Sequence, residues 1–138
     1  MTNTEFIKKL NKALEWEYAA AIQYLQHAAV IKGAEYTAIG KELLIHSKEE
    51  MNHGVLVAEI IADLGGTPTA NPEKREVSDN SKTMLEQDLA GEEIAITLYK
   101  ELIEMVQDLK EYGYKTTLEG ILVEEEEHRR DLRNSLGL

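Results

Sequence analysis

Glu50 and His53 stand three residues apart, a spacing that puts a carboxylate and an imidazole on one face of a helix, where together they can hold one metal ion. The pattern returns at Glu125 and His128. Each copy has a lone glutamate 33 residues upstream, Glu17 before Glu50 and Glu92 before Glu125, so one constant offset of 75 residues relates the two halves. That offset also carries Leu10 onto Leu85, Leu14 onto Leu89, Tyr24 onto Tyr99, Leu43 onto Leu118 and Glu49 onto Glu124. A chain this rich in glutamate produces roughly 0.6 Glu-x-x-His matches by accident, so two matches alone are weak evidence. The shared register is stronger: an internal repeat whose fixed points are metal-ligand types.

The repeat sits in a helical pattern. Thr2 and Glu5 read as a capping box, and apolar residues then recur at Phe6, Leu10, Ala13, Leu14, Ala20, Ala21 and Tyr24, predicting a helix to about Lys32 with Glu17 on its apolar stripe. Gly33 marks a turn. A second helix to about Leu64 shows Ile39, Leu43, His46, Glu50, His53, Val57, Ile60 and Leu64 at spacings of three and four. Gly65-Gly66 ends it, and both prolines, Pro68 and Pro72, fall in a linker over 65–80. Such a linker far exceeds the ~2–8 residues usual between bundle neighbours but can span the ~42 Å of a 28-residue helix, so it reads as a crossover along the bundle. A third helix from about Ser81 to Lys110 carries Leu85, Asp88, Leu89, Glu92, Ile96, Tyr99, Ile103 and Val106 on one face. Gly113 is expected to break it, and a fourth carries Leu118, Ile121, Leu122, Glu125, His128 and Leu132. No strand pattern occurs. The expectation is one all-α domain over 1–138, an antiparallel four-helix bundle in which the pairs 3–64 and 81–136 are the repeat.

Composition narrows the function. No cysteine is present, which removes disulfides, thiolate metal sites, iron–sulfur clusters and thiol catalysis and fits a reducing compartment, with the cytoplasm as the expected location. The first ten residues carry no long apolar signal core, and no 18-residue apolar run could cross a bilayer, so no membrane partner is expected. A net charge of −11 with no basic tail argues against nucleic acid and for cations.

With helix ends aligned, Glu17, Glu50, Glu92 and Glu125 reach one level, joined by His53 and His128. Ionised carboxylates ~4 Å apart repel by about 4 kcal/mol per pair at an effective dielectric of 20, so an empty, fully charged layer would strain the fold, and two divalent cations would cancel it. Carboxylate oxygens with one imidazole per metal favour iron or manganese, with zinc and cobalt also able to bind. The bland alternative is a plain bundle whose buried glutamates are protonated or hydrogen-bonded; six ligand-type residues in one layer make that a wasteful core.

The chain resembles the bacterioferritin family of ferritin-like di-iron carboxylate proteins over almost its full length. The resemblance runs through Leu10-Asn11-Lys12 with Glu17, Gln23-Tyr24, His27-Ala28, Glu50-Met51-Asn52-His53 and Leu64-Gly65-Gly66-Thr67-Pro68. It continues through Met84-Leu85, Asp88-Leu89-Ala90 with Glu92, and Ile121-Leu122 with Glu125 and His128. It implies a ferritin-like bundle and a ferroxidase centre binding two iron ions per chain. In that centre Glu50 and Glu125 bridge, Glu17 with His53 completes one metal position and Glu92 with His128 the other. The implied reaction is oxidation of two Fe(II) by dioxygen or peroxide to an oxo-bridged Fe(III) pair, in a homo-oligomer. Glu49, Glu124 and Asp88 are candidates to accept from the outer nitrogens of the two imidazoles, although the first two positions equally suit surface acids. Tyr24 and Tyr99 could hydrogen-bond the layer or pass electrons, with core packing the commoner role, and His46 and His27 read as packed core histidines.

The departures matter as well. Bacterioferritins continue into a short fifth helix that lines a shell axis, whereas this chain runs ten residues past His128, so a bundle without a fifth helix is expected and a closed cage is not assured. Met51 stands where the family places its haem b ligand. A methionine on a helix is ordinarily packing, and Lys48 one turn away suits haem poorly. Rubrerythrins add a glutamate where this chain has Ala95, and the DNA-binding ferritins of starved cells build their sites between subunits. Ala95 and the absence of cysteine argue against the first plan, and two complete Glu-x-x-His motifs in one chain argue against the second. A competing expectation is a small oligomer that uses a di-iron or di-manganese centre on peroxide or an organic substrate without storing mineral.

Overall fold

The computed structural model describes residues 2–138. Its helices are α1 (Asn3–Val30), α2 (Thr37–Asp63), α3 (Ser81–Asp108) and α4 (Tyr112–Ser135), with a single 3₁₀ turn at Ala34–Tyr36 and, among the described residues, no strand. The α1 capping box forms as expected: the Glu5 backbone N–H donates to Thr2 Oγ1 (3.2 Å) and the Thr2 N–H to Glu5 Oε2 (3.1 Å). Asn80 caps α3, its Oδ1 accepting from the Thr83 N–H at 2.9 Å.

Side-chain contacts fix the arrangement. Ser47 Oγ donates to the Ala21 carbonyl, Tyr24 and His27 of α1 meet Glu92 and Asp88 of α3, and His46 and His53 of α2 meet Asp131 and Glu124 of α4. Across α1–α3 and α2–α4 rising numbers on one helix meet falling numbers on the other, and Ser47–Ala21 with His53–Glu17 shows the same for α1–α2, so each helix is antiparallel to both neighbours. The α1–α3 and α2–α4 faces lie on opposite sides of the bundle.

This topology requires α2 and α3 to run the same way, and residues 65–80 make it possible by lying along α1. Asn11 grips the start of the crossover, donating to the Thr67 carbonyl (3.1 Å) and accepting from the Thr69 N–H (2.8 Å). Tyr18 Oη then donates to the Thr69 carbonyl, the Glu73 N–H to the Glu15 carbonyl and Gln23 Nε2 to the Glu76 carbonyl, and Ser81 Oγ reaches the Lys32 carbonyl at the far end. A segment without secondary structure thus meets its backbone demand from the helix beneath it.

Two helix ends differ from expectation. α1 stops at Val30, two residues early, and α3 stops at Asp108, before the Gly113 expected to break it. The α3 break is made by Lys110, at φ 60°, with the Glu111 N–H donating to the Val106 carbonyl and the Lys110 N–H to Gln107. This is a Schellman end on a residue with a side chain, and Gly113 falls in the first turn of α4. α2 ends in the same motif on Gly65 at φ 85°, as Gly65-Gly66 led one to expect.

The apolar interior is in two parts. Phe6, Leu10, Leu14, Val57, Ile61, Leu102, Val106 and Leu118 belong to a larger cluster towards the α1 N-terminus. Tyr24, Ile39, Leu43, Leu85 and Leu132 belong to a smaller one towards the α1 C-terminus. Between them lies a layer that is not apolar at all.

Candidate metal centre

That layer consists of Glu17 from α1, Glu50 and His53 from α2, Glu92 from α3, and Glu125 and His128 from α4, each no more than 2% exposed. Every helix delivers its residue to the same level because each lies near mid-helix, and the structure brings all six together. Two sets of potential ligand atoms converge within 4.8 Å: Glu17, Glu50, His53 and Glu125, and Glu50, Glu92, Glu125 and His128. Glu50 and Glu125 belong to both. His53 Nδ1 is 3.0 Å from Glu17 Oε2, 3.3 Å from Glu50 Oε1 and 3.3 Å from Glu125 Oε1. His128 Nδ1 is 3.2 Å from Glu50 Oε1, 3.5 Å from Glu125 Oε1 and 3.6 Å from Glu92 Oε2.

Despite this crowding, both oxygens of Glu50 and of Glu125, one oxygen each of Glu17 and Glu92, and both inner imidazole nitrogens make no well-formed hydrogen bond. Fully buried polar atoms left in that state cost free energy that a cation among them would recover. Without one, the charges rearrange. Burial, and then the Glu125 carboxylate, push Glu17 up to about 8 and Glu92 up to about 7; burial and then Glu50 raise Glu125 to about 7. Burial by itself would lower the two imidazoles, but the carboxylates around them outweigh it and both rise. The apo layer therefore holds protons where a metal would replace them.

The surroundings sort the remaining expectations. The outer nitrogen of each imidazole meets an acid from the opposite repeat: His53 Nε2 is 3.3 Å from Glu124, and His128 Nε2 is 3.5 Å from Glu49. Asp88, the third candidate, is engaged elsewhere, at 2.8 Å from His27 Nδ1 in a fully buried pair. Tyr24 does more than pack, its hydroxyl donating to Glu92 Oε1 at 2.9 Å, whereas the buried Tyr99 hydroxyl has no partner. His46 is buried, stands 3.1 Å from Asp131 and stacks on His128 with centroids 4.0 Å apart. Met51 is 46% exposed, so it does not pack into the interior of its own chain.

Sequence reasoning missed Asp131 beside His46, and it missed the contribution of the crossover. Arg75, from the crossover, lies with its guanidinium 5.3 Å from the centroid of the Trp16 ring and donates to the Gln87 carbonyl. It fills the space over Gly91, where a Cβ would collide with it. Trp16 and Gly91 are themselves related by the 75-residue offset and immediately precede Glu17 and Glu92. A lone arginine in a linker gives no sign of this; the pairing of a glycine with a tryptophan at matching repeat positions was the available signal.

A family model described as a ferritin-like domain matches residues 7–138. The chain is 34% identical over 135 residues to a bacterioferritin of Brucella melitensis, covering 96% of this chain and 83% of that one. Its fold superposes on a ferritin-like, diiron-carboxylate protein of Bacillus anthracis with a TM-score of 0.93, 29% identity and 99% of both chains covered. It also superposes on a bacterioferritin-related protein of Bacteroides fragilis, described as a dodecameric thioferritin, with a TM-score of 0.92, 30% identity and coverage of 99% and 87%.

Proposed function

The chain belongs to the bacterioferritin family within the ferritin-like proteins, and on that premise we propose that it binds two Fe(II) ions in the Glu17–His53 and Glu92–His128 halves of the buried layer and oxidises them. The observation that carries this reading is the sharing of Glu50 and Glu125 by both halves, with all four of their oxygens free of hydrogen bonds. Iron is here the substrate. Two Fe(II) supply one electron each: with dioxygen, the two electrons and two protons give one hydrogen peroxide, and with peroxide, two electrons and two protons give two molecules of water.

The residues suit that work. Four carboxylates offset the charge of two divalent ions, and a glutamate can move between bridging and terminal binding as the metal charge rises. Glu124 holds the outer nitrogen of His53, turning its inner nitrogen towards the layer, and Glu49 lies 3.5 Å from the outer nitrogen of His128. The apolar clusters on either side exclude bulk water, which strengthens every charge interaction within. Among the described residues, no helix is long and apolar enough to cross a membrane.

Anaerobic Fe(II) titration followed by oxygen tests the assignment. A break at about two irons per chain is expected, with the Fe(III) absorbance lost in Glu50→Ala; uptake unchanged in that variant sinks it. Assembly into a closed shell, and with it storage, is read separately from particle size, since a dimer cannot enclose a mineral. Exposed apolar side chains on α1 and α2, among them Ile22, Leu25 and Val55, give such an assembly a surface to use. Haem b at Met51 would show as a Soret band on adding haemin that is lost in Met51→Leu.

A further inference from the structure

The 75-residue repeat is faithful at the ligands and fails beside them. The repeat mate of His46 is Ile121, which packs in the larger apolar cluster, and the mates of Glu42 and Asp131 are Thr117 and Leu56. One half of the molecule therefore has two apolar residues and a threonine where the other has an imidazole 1% exposed and two acids. Glu42, His46 and Asp131 each offer a ligand atom, all within 4.8 Å of one another. His46 Nε2 faces Asp131 at 3.1 Å while its buried Nδ1 has no hydrogen-bond partner, so hydrogen bonding accounts for only half of an imidazole at this depth. Its ring lies against that of His128, 4.0 Å between centroids and 24° between planes, so the cluster is contiguous with the Glu92–His128 half of the centre.

The two faces of the bundle differ in charge at this level. On the α1–α3 side, Arg75 lies between Trp16 and Gly91, the residues that immediately precede the two terminal glutamates in sequence, presenting a positive charge and a bulky cover. On the α2–α4 side, Glu49 and Glu124 stand at the outer nitrogens of the imidazoles, and Glu42 and Asp131 gather about His46. Among these groups nearest the layer, the carboxylates of the second side favour an approaching cation and the guanidinium of the first does not.

We infer that Glu42, His46 and Asp131 form a third divalent-cation site on the α2–α4 face, an antechamber from which ions pass to the Glu92–His128 half of the centre. One imidazole and two carboxylates suit a borderline-to-hard divalent ion, and fewer charges in a more exposed setting make this site weaker than the buried pair. The role of supplying the centre rests on the reading of that centre as a metal site; the third site itself does not.

Anaerobic titration of the metal-free full chain with Co(II), followed by its visible absorbance, tests both parts. Wild type is expected to bind two equivalents tightly and a third more weakly. Glu42→Gln/Asp131→Asn should lose the third, keep the two, and fill them several-fold more slowly in stopped flow, while Glu50→Ala should lose the tight pair and keep the third. Arg75→Met should leave the filling rate as it is. Equal stoichiometry in wild type and Glu42→Gln/Asp131→Asn overturns the site. Unchanged filling in that variant, or acceleration by Arg75→Met, overturns the antechamber. Retention of the tight pair in Glu50→Ala would instead count against the centre.

Discussion

The Tyr24 hydroxyl donates to Glu92 Oε1 across 2.9 Å, tying α1 to α3 within the buried layer. Its repeat mate Tyr99 is as deeply buried but its hydroxyl meets no acceptor, so the two halves share ligands without sharing their supports. Tyr24→Phe leaves a buried carboxylate oxygen without its donor and should cost about 1–3 kcal/mol. Tyr99→Phe should cost well under half of that or be stabilising. Urea unfolding of the metal-free variants checks this, and equal losses would show that Tyr24 only packs.

Arg75 and Gly91 should be energetically coupled. Gly91→Ala places a methyl where the guanidinium lies, displacing Arg75 from Trp16 and from the Gln87 carbonyl, and should cost about 1 kcal/mol. Arg75→Ala removes the collision, so the double variant should be more stable than the sum of the single losses implies. A double-mutant cycle of unfolding free energies reads the coupling, and strict additivity refutes it.

Lys110 ends α3 in a conformation that costs a residue with a side chain roughly 1–2 kcal/mol relative to glycine, part of which glycine returns as chain entropy on folding. Lys110→Gly should therefore stabilise the protein by up to about 1 kcal/mol. Thermal unfolding at matched conditions measures it; a lower melting temperature would mean that the lysine side chain contributes more than its backbone costs.

The metal-free protein should weaken as pH rises. Glu17, Glu92 and Glu125, at about 8, 7 and 7 in the folded chain against 4.5 ordinarily, hold protons more tightly folded than unfolded. Their contribution is complete below pH 4.5 and is lost as pH climbs through 7 to 8. The raised imidazoles act in the same direction. The urea midpoint of the apo form should fall between about pH 5 and pH 8, and the fall should flatten in Glu17→Gln/Glu92→Gln. A midpoint that rises over that range in wild type contradicts the assignment.

Bound metal should reverse this trend. Divalent cations displace the same protons, so their stabilisation grows with pH and binding releases protons into weakly buffered solution. Adding excess Zn(II) to the metal-free protein should raise its melting temperature more at pH 8 than at pH 6, and removal by chelator should restore the apo value. A pH-independent shift would point to binding outside the buried layer.

Local patterning carried much of the fold. Apolar residues every three or four positions, the Thr2–Glu5 box and the Gly65-Gly66 stop are signals within a few residues, and the structure follows them. The α3 end escaped detection because a Schellman turn on Lys110 is stabilised by backbone bonds that no residue type announces. The placement of the six ligand-type residues was legible for a different reason: the fixed 75-residue offset fixes their height along the helices, and aligned helix ends then force one level.

The sequence by itself determined an acidic, cysteine-free chain of four amphipathic helices with a carboxylate–imidazole layer at mid-height, because helical periodicity and repeat register are properties of spacing alone. Only the tertiary structure decided how that layer is supported and approached. Arg75 docks between Trp16 and Gly91 because the crossover is tied along α1. His46 reaches His128 because α2 and α4 are rotated to face one another. Tyr24 finds Glu92 where Tyr99 finds nothing. Those contacts depend on helix rotation and on the path of an irregular segment, which are set by packing across the whole bundle and leave no periodic trace in the chain.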